Sequence, residues 1–192
     1  MRTFICLEVS PELRGAIADL QEQLRKFKAD VSWTKPDNIH LTLKFLGEIN
    51  PAIVNAISDE LSAITPRFDS IELKGSATGV FPNPKRPKVL WVGLEGDVPR
   101  VVDLRNQIEE AMRRLGLSAE TKEFRPHLTL GRVRGLSGVR ELVAAMREIT
   151  FESGSFAVSH VTLMQSQLSP KGSIYTPLGL FQFGQGASGL AK

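Results

Sequence analysis

The tetrapeptide His-Leu-Thr-Leu occurs twice in this chain, at His40–Leu43 and again at His127–Leu130, in a sequence that contains only three histidines. Side chains alternate across a β-strand, so in each copy His and Thr share one face while the two leucines face the other. Each copy therefore reads as an imidazole and a hydroxyl displayed on a strand that is anchored from behind. Both copies are followed, after a short loop, by a helical pattern. The fold must place these two units in equivalent settings, and the simplest solution is a pseudo-symmetric molecule whose motif strands face a central groove.

The rest of the chain supports an α+β architecture. Thr3 to Val9 reads as a strand. Ser10-Pro11-Glu12 then carries a cap, a first-turn proline and a first-turn acid, followed by a stripe at Leu13, Ile17, Leu20, Leu24 and Phe27. Further helical stripes run through Ile53, Ile57, Leu61 and Ile64, through Val101, Leu104, Ile108, Met112 and Leu115, and through Val139, Leu142, Val143, Met146 and Ile149. Strands are expected at Val31 to Thr34, Ser70 to Lys74, Val89 to Leu94, Phe156 to Leu163 and Leu180 to Phe183, besides the two motif strands. The segment Phe81 to Lys88, with three prolines, is expected to be irregular. Incomplete alternation of strands and helices favours mostly antiparallel sheets with helices packed outside. Residues 1–183 are read as one bilobal domain and 184–192 as a frayed tail.

Composition adds exclusions. A net charge of +3 permits a polyanionic ligand without demanding one. The single Cys6 cannot form an internal disulfide, and no apolar run approaches a membrane span. A cytoplasmic monomer is the expectation. No metal-ligand spacing, phosphate-binding glycine loop or dinucleotide fingerprint is present, so no cofactor or metal is expected.

The third histidine also obeys the pattern, in His160-Val161-Thr162-Leu163. Its flanks set it apart. His40 and His127 lie among cations and aromatic residues, whereas His160 sits in the alternating strand Phe156, Val158, His160, Thr162, with no cation before Lys171, and reads as structural. The neighbourhoods Asn38-Ile39-His40-Leu41-Thr42-Leu43-Lys44-Phe45-Leu46-Gly47 and Phe124-Arg125-Pro126-His127-Leu128-Thr129-Leu130-Gly131-Arg132 closely resemble those of the two-histidine phosphoesterases, and within them the bacterial and archaeal RNA 2′,3′-cyclic phosphodiesterases long labelled 2′-5′ RNA ligases. The resemblance runs from Arg2 to Leu178. It implies a bilobal fold, hydrolysis of a terminal 2′,3′-cyclic phosphate on RNA to a 2′-phosphate, His40 as general acid, His127 as general base, and Arg132 as a phosphate contact.

The residues suit that chemistry. Opening a cyclic phosphodiester needs a base for water and an acid for the departing ribose oxygen, and imidazole serves both near neutral pH. Thr42 and Thr129 can donate to the non-bridging oxygens, and Arg132 can add a two-pronged clamp. Strand parity raises one condition: Arg132 is out of phase with His127 and Thr129, and reaches the phosphate only if the strand bulges or ends at Gly131. Lys44 is in phase with His40 and Thr42, so simple alternation makes it a second cation of the site. Phe45, Tyr175 and Trp33 are candidate base platforms, and Lys85-Arg86-Pro87-Lys88 a candidate contact for the RNA backbone. The same site could instead run a 2′-5′ ligation, act on a small cyclic nucleotide, or bind RNA ends without turnover.

Overall fold

The structure is a computed structural model that describes residues 1–170 and 172–184; the expected tail, apart from Gly184, lies outside the described residues. In chain order the elements are β1 (Arg2–Glu8), α1 (Pro11–Arg25), β2 (Val31–Trp33), β3 (His40–Glu48), α2 (Val54–Ile64), β4 (Ile71–Phe81), β5 (Val89–Gly96), α3 (Val98–Arg114), β6 (His127–Val133), α4 (Val139–Glu148), β7 (Glu152–Val158), β8 (His160–Ser169) and β9 (Gly172–Gln182).

Local chemistry explains the helix starts. The Ser10 side chain accepts from the Leu13 amide at 3.2 Å, with Pro11 in the first turn. A short 3₁₀ turn, Pro51–Ile53, leads into α2, and Asn50 Oδ1 accepts from the Ala52 amide there. Helix α1 ends at Arg25, two residues before Phe27, which is left 38% exposed and off the buried stripe.

All strand pairs are antiparallel, in the order β7-β4-β5-β6-β3-β1-β8-β9, with β2 added alongside β6. The two motif strands, β6 and β3, are the central pair, joined at Leu41 and Leu128. Three strands extend outward from each of them, which is the symmetry that the repeated tetrapeptide requires. Unit β1-α1-β3-α2 has its counterpart in β5-α3-β6-α4. Behind the sheet, Leu41, Leu43, Leu128 and Leu130 join one continuous apolar cluster that includes residues of all four helices. Burial of each such leucine contributes about 1.5–3 kcal/mol. The leucines hold the strand, and the strand face opposite them is free to carry chemistry.

Several expected boundaries change. The predicted strand Phe156 to Leu163 is two strands, broken at Ser159, although its alternating pattern runs through the break unchanged. β9 begins at Gly172 rather than Leu180, because it completes a long hairpin with β8 from Ser169↔Gly172 to His160↔Gln182. β4 runs to Phe81, not Lys74, with a bulge at Ala77, which has a φ of 58°. No helix among the described residues is long and apolar enough to cross a membrane.

Candidate active site

Each motif strand carries a bulge at the same place in the tetrapeptide, and β3 has a second register shift further on, at Leu46. In β3 the partners jump from Cys6↔Thr42 to Ile5↔Lys44, leaving Leu43 as the extra residue. In β6 they jump from Trp91↔Thr129 to Leu90↔Gly131, leaving Leu130 extra. An extra residue inverts the parity of the residues that follow it, up to the next such shift. Consequently Arg132 is turned onto the face of His127 and Thr129, and Phe45 onto the face of His40 and Thr42.

Lys44 is turned the other way, which corrects its expected place in the groove. Its side chain is 1% exposed, and its ammonium donates to Glu109 Oε1 at 2.8 Å and to the Ser118 carbonyl at 2.9 Å. The equivalent position in β6 is Gly131, where a Cβ would come within 2.7 Å of Val31. Here the stay comes from α1: the buried Gln21 side chain donates to the Leu130 carbonyl at 2.9 Å and the Thr34 carbonyl at 2.8 Å. Gln21 and Glu109 each lie ten residues past a helix-opening proline, Pro11 and Pro99. Each helix thus secures the bulge of the motif strand in the opposite half.

The two imidazoles are set identically. His40 Nδ1 donates to the Asn38 carbonyl at 2.8 Å, and His127 Nδ1 donates to the Arg125 carbonyl at 2.6 Å. A carbonyl can only accept, so the proton of each neutral ring is on Nδ1 and Nε2 is left for exchange. The Thr42 hydroxyl donates to His40 Nε2 at 3.0 Å. Because the strands pair antiparallel through Leu41 and Leu128, His40 is directed beside Thr129 and Thr42 beside His127. Each histidine therefore has the hydroxyl of its own motif two residues away and that of the other motif across the strand gap.

Their surroundings differ. The His40 ring is stacked on Phe4 at 4.7 Å and closed off by the edge of Tyr175 at 5.4 Å. Burial draws its pKa down to about 4, against the pull of the Asn38 carbonyl and the Glu8 charge, which favour the protonated form. His127 meets Phe81 edge-on at 5.0 Å. Its pKa is also lowered, chiefly by burial and further by the Arg132 charge, with the Arg125 carbonyl opposing. One consequence concerns stability. The unfolded chain takes up the His40 proton near pH 6.5 and the folded chain only near 4, so this group removes stability as pH falls through that window. Denaturant titrations of the parent and a His40→Gln variant at pH 7 and pH 4.5 are expected to show the smaller loss in the variant; equal losses would remove His40 as the cause.

A cavity of about 970 Å³ opens over the site, with His40, Thr42, Thr129, Arg132, Phe45 and Tyr175 in its lining. His127 is not among the lining residues; it stands two places along β6 from Thr129, on the Phe81 side. Trp33 also lines the cavity, with the Arg25 guanidinium 5.1 Å from its ring centre. The loop Lys85 to Lys88 does not line it. His160 stands apart: its Nε2 is 3.8 Å from Glu8, to which the Thr162 hydroxyl also donates at 3.0 Å. Cys6 is fully buried and its thiol pKa is raised, mainly by that burial. Among the described residues no three His, Cys, Asp or Glu side chains gather as a metal site. Phe4, Gln21 and Glu109 are site residues that the sequence reading missed. Only the match of Gln21 and Glu109 ten residues past Pro11 and Pro99 could have flagged the latter two.

A two-sided sheet with one His-x-Thr strand on each side of its axis is the architecture of a two-histidine phosphoesterase. The family model described as LigT-like phosphoesterase matches the chain twice, over residues 7–91 and 92–175, with one motif in each match. The chain belongs to this family. It is 34% identical over 165 residues to the RNA 2′,3′-cyclic phosphodiesterase of Aeropyrum pernix, covering 85% of this chain and 93% of that one. It is 34% identical over 185 residues to the protein of the same description from Archaeoglobus fulgidus, covering 95% and 100%. Among solved structures, a Thermus thermophilus protein superposes with a TM-score of 0.83 at 24% identity, covering 97% of this chain and 100% of that one. E. coli LigT crystallised with 3′-AMP superposes at 0.77 and 24% identity, covering 96% and 98%. These two likenesses concern the fold.

Proposed function

We propose that this protein hydrolyses the 2′,3′-cyclic phosphate at an RNA 3′ end to a 2′-phosphomonoester. The observation that carries this reading is the matched pair of imidazoles, each with its Nδ1 proton fixed on a carbonyl and its Nε2 left for exchange, set across the central strand pair of one sheet. The curated relatives described as RNA 2′,3′-cyclic phosphodiesterases support the substrate class.

In the forward step His127 Nε2 takes a proton from water as its oxygen bonds to phosphorus. The P–O3′ bond breaks on the opposite side, and His40 gives O3′ a proton from Nε2, leaving the phosphate on O2′. Proton exchange with solvent then resets both rings. Low pKa values suit the neutral base directly. For His40 the depressed value makes the imidazolium a stronger donor, and the negative charge of a bound phosphate favours its protonation. Thr42 and Thr129 donate to the non-bridging oxygens, whose charge grows, and Arg132 adds a charged clamp.

The test is an oligoribonucleotide ending in a 2′,3′-cyclic phosphate, incubated with the protein in EDTA. The expected product carries a 2′-phosphate. A 3′-phosphate product would reverse the leaving group, a joined product would favour ligation, and tight binding with the cyclic end intact would leave an RNA-end-binding module.

A further inference from the structure

The chain as a whole has a net charge of only +3, with 24 cations set against 21 acids. The groove concentrates that excess. Among the described residues Arg2, Lys35, Arg132 and Arg134 line it against one carboxylate, Glu48, so these groups together carry as much net charge as the entire chain. Outside it several cations, among them Arg14, Lys74, Arg100, Arg113, Arg114 and Arg125, lie within ion-pair distance of acids. Among the described residues none of the four groove cations has such a partner. Unpaired positive charge gathered in one concave wall attracts an extended polyanion.

The charges are also ordered in space. Arg132 and Arg134 are two residues apart at the end of β6, and β2 runs beside them with Ser32 opposite Arg132. The chain continues from β2 through Trp33 and Thr34 to Lys35, whose Cε lies 3.8 Å from where a Cβ on Gly172 would sit, at the turn of the β8–β9 hairpin. One face of the Trp33 indole is under Arg25. Its ring still lines the cavity, which gives a base a platform of the kind that single-stranded RNA uses.

We infer that Trp33, Lys35 and Arg134 form a second subsite, which takes the nucleotide immediately upstream of the cyclic end: its base against Trp33 and its phosphodiester between Lys35 and Arg134. This rests on the cyclic-phosphodiesterase reading and narrows its substrate to phosphodiester-linked RNA over a free cyclic mononucleotide. Removing both cations from this one phosphate of a single strand is expected to reduce the salt slope of log kcat/KM by about 0.7.

The experiment compares a trinucleotide ending in a 2′,3′-cyclic phosphate with 2′,3′-cyclic AMP, using the parent protein and a Lys35→Gln/Arg134→Gln double variant at several salt concentrations. The parent is expected to favour the trinucleotide at least ten-fold in kcat/KM at low salt. The double variant is expected to lose that preference through KM, with a shallower salt slope and kcat retained. A parent that treats the two substrates alike overturns the subsite and leaves the reaction standing. So does a variant whose losses on the two substrates are equal. A parent that turns over neither substrate overturns the cyclic-phosphodiesterase reading itself.

Discussion

Replacing either His40 or His127 with alanine is expected to lower kcat on a cyclic-phosphate-ended RNA by about 10²–10⁴-fold, the usual contribution of one positioned acid or base. The two losses should not multiply. Once one proton transfer is missing, the in-line displacement has lost its concerted partner, and the double variant should be little worse than the poorer single one. Neither substitution removes a core contact of the leucine layer, because both rings occupy the face opposite Leu41 and Leu128. A circular-dichroism melt should therefore find both variants folded. His160→Ala provides the internal control: its ring contacts Glu8 and lies outside the cavity lining, so turnover should remain close to that of the parent. Near-parental rates in His40→Ala or His127→Ala would refute the paired-imidazole mechanism, and a collapse in His160→Ala would show that the wrong pair had been assigned.

The second large effect is on stability. Glu109→Ala strands an ammonium whose side chain is 1% exposed and leaves it the Ser118 carbonyl as its one remaining partner. Breaking a buried pair from one side typically costs about 3–5 kcal/mol, because the remaining charge stays desolvated. Arg105, 3.2 Å from Glu109 in the parent, would be left beside the same vacated carboxylate position and adds to the repulsion. Urea denaturation should therefore show a midpoint shift of that order. Replacing both partners with apolar groups, Lys44→Met with Glu109→Leu, should recover most of the loss. The double variant should also keep its activity, since Lys44 faces away from the groove. A Glu109→Ala midpoint within about 1 kcal/mol of the parent would mean that Lys44 finds water or another acceptor.

Much of the site was legible because it is written in alternation. His40 with Thr42 and His127 with Thr129 are in phase, the leucines between them are buried, and the sheet order is symmetric about the two motif strands. What was hidden is the pair of bulges. Leu43 and Leu130 look like ordinary strand residues, and nothing in their composition marks them as extra. The condition that Arg132 needs a bulge followed from parity, yet the same logic applied to β3 exiles Lys44 and admits Phe45. The forces that fix these bulges come from Gln21 and Glu109, far away in sequence, and local pattern does not carry them. The break at Ser159 escaped for the related reason that Phe156, Val158, His160 and Thr162 keep a period of two across it. Tyr175 could be suspected as an aromatic residue, but its place against His40 depends on the β8–β9 hairpin, whose register is set over the whole of both strands.

The exchanged stays have a further meaning. Contacts that each half gives to the other, rather than to itself, are the kind made between subunits of a twofold dimer. Two separate half-length chains could make them only at sufficient concentration, with dissociation melting both motif strands together. Covalent fusion makes the association intramolecular, so the reactive geometry is independent of dilution. It also frees the two copies to diverge, one keeping a lysine at the bulge and the other a glycine.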